Sequence, residues 1–96
     1  MSEEVISPVE LFSELKRCPE WEVDNDGISR LWEFESFEDA MEFVNVVADI
    51  AESACHHPDI DIRFTKVKLL LSTHEIGGAT EADIEMAKRI DTITDV

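Results

Sequence analysis

The stretch SFEDAMEFVNVVADIAESACHHP, from Ser36 to Pro58, decides the fold of this chain. A serine followed three residues later by the acidic Asp39 is a helix-start signature, because the two side chains satisfy N–H groups that the first turn leaves free. Pro58 cannot continue a helix. The spacing therefore predicts a helix over 37–54. Its apolar positions share one face; they are Phe37, Ala40, Met41, Val44, Val47, Ala48 and Ala51.

The apolar stripe of this helix is wider than one sheet would cover. Phe43, Val46 and Ile50 extend it around the helix. A helix that is apolar on two sides is usually buried on two sides. In a chain of 96 residues we expect the second cover to be another copy of the protein, which predicts a homodimer or a homotetramer.

Two similar helix starts lie on either side of this stretch. Ser7-Pro8-Val9-Glu10 combines an N-cap serine, a proline at the first helical position and a glutamate at the third. Thr80 and Asp83 repeat the spacing near the C-terminus. These signatures predict helices over about 8–17 and 81–93.

Two strand pairs fill the intervals between the helices. Residues 21–23 lead through Asp24-Asn25-Asp26-Gly27 into a strand over 28–35, and the Asp-Gly step is a strong hairpin signal because glycine tolerates the positive φ of a tight turn. Alternating apolar residues predict a half-buried strand over 60–64 and another over 67–71. The order αββαββα indicates a single α+β domain over residues 1–96: two layers, a four-stranded antiparallel sheet with three helices on one face.

Charge and composition exclude several classes of function. Eight Lys and Arg against 23 Asp and Glu give a net charge of −15, which disfavours nucleic acid and anionic membrane surfaces. No apolar run approaches the ~20 residues of a membrane span, and the acidic N-terminus is no secretion signal. Two cysteines favour a reducing compartment and hence the cytoplasm. Ordinary acidity and adaptation to high salt both fit the charge.

The three histidines are the candidate chemical groups. His56 and His57 follow the middle helix, and His74 ends the last strand. Imidazole has an ordinary pKa of about 6.5, so it exchanges protons near neutral pH. The histidine pair before Pro58 also fits a simple helix end. Adjacent ligands rarely converge on one ion, so the run from Cys55 to His57 predicts no metal site. Asp83 is also explained as a cap.

The spacing of these groups resembles a specific family signature. Glu52, His56-His57-Pro58, Phe64, His74 and Asp83 are spaced as in the pterin-4a-carbinolamine dehydratases. Trp21, the run from Phe34 to Phe43 and Gly77-Gly78 agree with that resemblance, which extends to about Ile90. Three positions depart from the family pattern: Cys55, Ile60 and Phe64.

The resemblance implies a hydro-lyase that converts a 4a-hydroxytetrahydropterin to a quinonoid dihydropterin and water, supporting tetrahydrobiopterin recycling beside an aromatic amino acid hydroxylase. It implies that His57 deprotonates the pterin near N5, that His56 or His74 protonates the departing hydroxyl, and that Asp83 orients His74. No metal or other cofactor is implied, because the pterin is the substrate. The implied substrate contacts are Glu52, Pro58, Ser72, Thr73 and Trp21. The alternative is a non-catalytic pterin-binding or protein-dimerisation module, similar to a transcriptional cofactor.

Overall fold

The computed structural model describes residues 4–73 and 76–94. The helices are α1 Pro8–Glu14, α2 Phe37–Ala54 and α3 Glu81–Thr94, and a 3-10 turn at Leu15–Arg17 follows α1. The strands are β1 Glu22–Asp24, β2 Gly27–Glu33, β3 Asp59–Arg63 and β4 Lys66–Leu71. They form one antiparallel sheet in the order β1-β2-β4-β3. The predicted α+β fold and its element order are confirmed.

The helix starts follow from local capping. Ser7 Oγ accepts the N–H of Glu10 at 3.3 Å, and Ser36 Oγ accepts the N–H of Asp39 at 3.0 Å. Each bond satisfies one donor that a first helical turn cannot pair internally. The predicted start of each helix is therefore confirmed, whereas α1 gives way to the 3-10 turn three residues before its predicted end.

One face of the sheet carries the core. The register places Ile28 opposite Leu71 and Trp32 opposite Val67, so these side chains lie on the same face, and all four are buried. Leu31 and Lys68 pair on the opposite face, and both are exposed. No helix in the described part of the chain is long and apolar enough to cross a membrane.

The core-facing side of α2 differs from the predicted face. Its buried residues are Ala40, Phe43, Val47, Ile50 and Ala51. Phe37, predicted to face the core, is 50% exposed, and Ala48 is also exposed. The apolar residues of α2 lie on two faces of the helix, and the face centred near Val47 is the one that packs on the sheet.

Strand β3 is exposed along its whole length, although its alternation predicted a half-buried strand. Ile60 and Ile62 pair with Leu69 and Val67 and therefore point to the same side of the sheet as the core. They lie at the sheet edge, where the helical layer of this chain leaves them partly uncovered.

The β1–β2 turn uses its residues differently from the prediction. Asn25, with φ of 52°, is the residue in the left-handed region, and the only glycine with positive φ is Gly77. Gly27 is required for another reason: a Cβ there would lie 2.1 Å from the carbonyl oxygen of Leu71. The close approach of two strands, not the turn conformation, explains this glycine.

Candidate active site

The C-terminus of α2 separates the two adjacent histidines. Cys55 takes the left-handed conformation, with φ of 54°, and its N–H bonds to the carbonyls of Ala51 and Glu52. The N–H of His56 also bonds to the carbonyl of Ala51, at 3.2 Å. This pair of bonds is a Schellman helix end, which turns the chain sharply. As a result, His56 contacts α3 while His57 points back to α2.

His56 is held by a buried carboxylate. Its Nε2 lies 2.5 Å from Oδ1 of Asp83, which is fully buried in the first turn of α3. Because a carboxylate accepts only, Nε2 carries a proton in this contact. Nδ1 of His56 has no hydrogen-bond partner among the described residues, and the His56 side chain lies 18% exposed.

Asp83 is both a helix cap and part of the site. Its Oδ2 accepts the N–H of Thr80 at 2.8 Å and the hydroxyl of Thr73 at 3.0 Å. The two threonine oxygens lie 2.8 Å apart, and since the single hydroxyl proton of Thr73 goes to Asp83, Thr80 is the donor between them. The start of α3 thus lies against the end of β4, and the interpretation of Asp83 as a cap is confirmed. The histidine that Asp83 contacts among the described residues is His56.

His57 forms the second imidazole–carboxylate pair. Its Nε2 lies 3.1 Å from Oε1 of Glu52, one turn earlier on α2. The side chains of His57 and Glu52 are 59% and 80% exposed, and Pro58 beside them is half-buried. The two pairs therefore differ in setting: one is anchored in the protein interior, and the other is open to solvent.

A groove of about 530 Å³ lies between the end of α2 and the outer face of α3. His56 lines one part of it, and Met86 supplies an apolar wall. This volume suits a small bicyclic ligand. Two imidazoles, each with one nitrogen fixed by a carboxylate, suit transfer of a proton to one atom and from another. No group of three or more His, Cys, Asp or Glu in residues 4–73 and 76–94 is arranged to hold a metal ion.

Comparison with known proteins shows what the chain resembles. The sequence profile described as "Pterin 4 alpha carbinolamine dehydratase" matches residues 4–93. The chain belongs to the pterin-4-alpha-carbinolamine dehydratase family. Members are hydro-lyases, so the predicted family and enzyme class are confirmed, and pterin carbinolamine dehydration is the activity that these matches support.

Individual relatives cover most of the chain. A protein of Thermomicrobium roseum, provisionally named as a member of the family, is 51% identical over 76 residues, which are 79% of this chain and 82% of that protein. A similarly named protein of Koribacter versatilis is 45% identical over 93 residues, covering 97% and 98%. The crystal structure titled "transcriptional coactivator/pterin dehydratase" from Brucella melitensis has a TM-score of 0.87 and 32% identity, covering 94% of this chain and 98% of that one.

The structure brings together only some of the residues that the dehydratase signature implied. His56, Asp83 and Thr73 are linked by hydrogen bonds, as are His57 and Glu52. Thr73 and its neighbour Ser72 are buried, and the hydroxyl of Thr73 is already bonded to Asp83. In the described contacts, Thr73 therefore positions Asp83. His74, expected to be oriented by Asp83, lies outside the described residues.

Trp21, a predicted substrate contact, does not line this groove. Its ring is buried and packs edge-on against Trp32 with ring centroids 5.6 Å apart, and its Nε1 donates to Asp91 at 2.9 Å. A large ring is needed there to fill the space where β1 and β2 meet the end of α3. Phe64 of the dehydratase signature is also remote: it is 76% exposed in the β3–β4 turn, at the far end of β3 from Pro58.

Sequence reasoning missed two features of the site. One is the hydroxyl of Thr80, which bonds to Thr73 in the network around Asp83. The other is a pair of cations, Lys88 and Arg89, in the groove wall. The spacing of Ala82, Glu85 and Arg89 would have placed the arginine on the groove face, since residues three and four apart are neighbours on a helix.

Proposed function

We propose that this protein dehydrates a 4a-hydroxytetrahydropterin by histidine acid–base catalysis. The C4a–O bond breaks, the hydroxyl leaves with one added proton as water, N5 loses its proton, and a double bond forms between N5 and C4a. Hydroxide is a poor leaving group, so an acid is needed, and N5 needs a base. The observation that carries the proposal is the pair of imidazoles at one helix end, each fixed by its own carboxylate.

His57 is the proposed base at N5. Contact of its Nε2 with Glu52 places the ring proton there and leaves Nδ1 to accept a proton. Both side chains are exposed, so a ligand can reach them. The second oxygen of Glu52 is available for the amino and ring N–H groups of a pterin.

His56 and His74 are the proposed alternative donors to the departing hydroxyl. For His56 the support is its anchoring, since Asp83 fixes the orientation of a ring that lines the groove. Because Nε2–H is bonded to Asp83, His56 would donate from its doubly protonated form, in which Nδ1 also carries a proton. Fixed orientation lowers the cost of reaching the reacting geometry. Positioned acid and base groups each contribute about 10²–10⁴-fold to a rate.

The experiment is to follow the breakdown of a 4a-carbinolamine generated in situ by a hydroxylase. We expect the wild type to accelerate it and His57→Ala to lose most of that acceleration. Ser53→Ala, on the exposed side of the same helical turn, is the matched control and retains the rate. A folded wild-type protein that gives no acceleration contradicts the proposal and leaves the alternative, a pterin- or protein-binding module without turnover.

We propose further that the reaction supports tetrahydrobiopterin recycling in the cytoplasm, beside an aromatic amino acid hydroxylase and without a bound metal or other cofactor. Support comes from the substrate class of the family and from the two cysteines, neither of which forms a disulfide. A reconstituted hydroxylase reaction tests this proposal: the protein is expected to raise steady-state turnover without any added metal or cofactor.

The protein is also proposed to form a homodimer or homotetramer. Phe37, Met41, Val44 and Ala48 form a stripe on α2 beside its core-facing side, and each is half-buried or exposed. Their spacing of four, three and four residues is that of a seam between two packed helices. A second copy of α2 would cover this stripe with the same residues.

Sedimentation measures this assembly directly. Val44→Glu places a charge within the stripe and is expected to give monomers, whereas Ser53→Glu adds the same charge on the opposite face of α2 and leaves the assembly intact. A wild-type protein that sediments as a monomer at micromolar concentration would contradict the proposal. The Brucella melitensis protein is also described as a transcriptional coactivator, and a protein-binding role would use this stripe rather than the histidines.

A further inference from the structure

The groove beside His56 carries an unusual local charge for this protein. The chain has only eight Lys and Arg against 23 Asp and Glu. Two of those eight cations, Lys88 and Arg89, nevertheless line one groove together with His56. Two positive side chains therefore lie in the same groove as a candidate catalytic histidine.

The two cations are available to a ligand. Arg89 has no ion-pair or hydrogen-bond partner within residues 4–73 and 76–94, and its side chain is exposed. Nζ of Lys88 lies 4.0 Å from Oε1 of Glu85, at the outer limit of an ion pair. An exposed ion pair at that distance contributes little to stability, so Lys88 can exchange it for a closer contact with a ligand.

The only carboxylate among the described groove residues, Glu85, is held in an ion pair that points it toward Arg17. Glu85 Oε1 lies 2.8 Å from a guanidinium nitrogen of Arg17. Arg17 also contacts Glu14 and Glu81, which keeps its guanidinium beside α3. The groove therefore presents two cations, and its one carboxylate is occupied by Arg17.

We propose that this groove binds an anionic side chain of the substrate, through Lys88 and the Arg89 guanidinium, while the pterin ring lies at His56. The inference rests on the proposed function, since that function places the ring. Asp83, which holds His56, precedes Arg89 by six residues, or about 9 Å along the helix axis. A side chain of a few carbons spans that distance. The guanidinium fork matches phosphate and carboxylate oxygens, so the substrate class is a pterin whose side chain ends in either group.

The overall charge of −15 does not prevent this binding. Charges separated by more than about 8 Å are largely screened at physiological ionic strength. A ligand in the groove is therefore governed by the cations in contact with it. Acidic groups elsewhere on the surface slow its approach more than they weaken the bound state.

Inorganic pyrophosphate tests the groove without any pterin. In a ¹⁵N NMR titration we expect it to shift the Nε–H signal of Arg89 and nearby amides of α3. The affinity is expected to fall about tenfold in Arg89→Gln and in Lys88→Gln. Lys66→Gln removes the same charge from the open face of the sheet and is the matched control. Absence of shifts in α3, or equal loss of affinity in the control, would overturn the inference and leave the dehydratase proposal standing.

A second comparison identifies the anion. We expect the phosphate monoester of 6-hydroxymethylpterin to bind about tenfold more tightly than 6-hydroxymethylpterin, and this ratio to approach one in Arg89→Gln. Pteroylglutamate tests the carboxylate source in the same way. If the wild type binds neither anionic ligand more tightly than 6-hydroxymethylpterin, the inference is overturned. If the protein fails to accelerate dehydration yet retains these ratios, the proposed reaction is wrong and the anion site remains.

Discussion

Replacing Asp83 by asparagine separates the positioning of His56 from the stability of the fold. Oδ2 of Asp83 accepts two hydrogen bonds, from Thr73 and Thr80, whereas Oδ1 accepts one from His56. The single amide oxygen of asparagine best replaces the atom with two donors. Its NH₂ group then faces Nε2 of His56, which has to become an acceptor. The ring proton therefore moves to Nδ1, the nitrogen that has no partner among the described residues.

The contacts set the expected sizes of the effects. Hydrogen bonds to charged groups contribute about 1.5–3 kcal/mol each. Asp83→Asn keeps the three contacts but in neutral form, so we expect a loss of about 1–2 kcal/mol in the free energy of unfolding. Asp83→Ala leaves three buried donors unpaired and is expected to cost about 3–5 kcal/mol. Loss of the carboxylate that supports a doubly protonated His56 is expected to lower the dehydration rate by about 10²–10⁴-fold.

Three measurements on Asp83→Asn check this reasoning. Urea unfolding gives the stability, carbinolamine breakdown gives the rate, and the ¹⁵N shifts of the His56 ring report which nitrogen is protonated. Asp91→Asn is the matched control, because it makes the same chemical change at a carboxylate bonded to Trp21 and Arg30. A variant that keeps the wild-type rate and the Nε2–H tautomer would refute a positioning role for Asp83.

Three further predictions concern the core. Burial raises the pKa of the Cys18 thiol from 9.0 to about 11. Because the thiol of the unfolded chain ionises first, the free energy of unfolding falls between about pH 9 and 11, with a slope approaching 1.4 kcal/mol per pH unit. Chemical denaturation of Cys18→Ala should show a flatter decline of that free energy over the same pH range. Trp21→Phe removes the bond to Asp91 and is expected to cost about 1–2 kcal/mol with unchanged dehydration kinetics; a raised KM would return Trp21 to the site. Gly27→Ala forces a Cβ against the Leu71 carbonyl and should lower stability by about 1–3 kcal/mol, whereas an unchanged melting temperature would contradict the close approach.

The features predicted correctly are those fixed by residues close together in the chain. Helix starts at Ser7 and Ser36 depend on hydrogen bonds spanning three residues, so the sequence contains both partners within one turn. Strand positions follow from alternation, which is also local. Candidate histidines could be identified for a similar reason, because His56-His57-Pro58 is contiguous and its spacing to Asp83 is a family signature.

The features missed depend on contacts between distant residues. Apolar residues of α2 cover two directions, and only the orientation of the helix on the sheet puts Val47 inward and Phe37 outward. Trp21 matched a family position, yet its ring packs against Trp32 and bonds to Asp91, 70 residues away. Neither outcome follows from periodicity, since periodicity states that a face is apolar and not what covers it.

The sequence thus identified the candidate chemical groups, whereas the hydrogen bonds between them depend on the tertiary structure. Residue types and short spacings specified three caps, four strands and the candidate histidines. The contact between His56 and Asp83 joins residues 27 apart, and it exists because the Schellman turn at Cys55 and the packing of α3 against the end of β4 bring them together. Which ring nitrogen of His56 contacts the carboxylate, and which cations line the groove, depends on that packing, because the partners of a side chain are set by distances in space and not along the sequence.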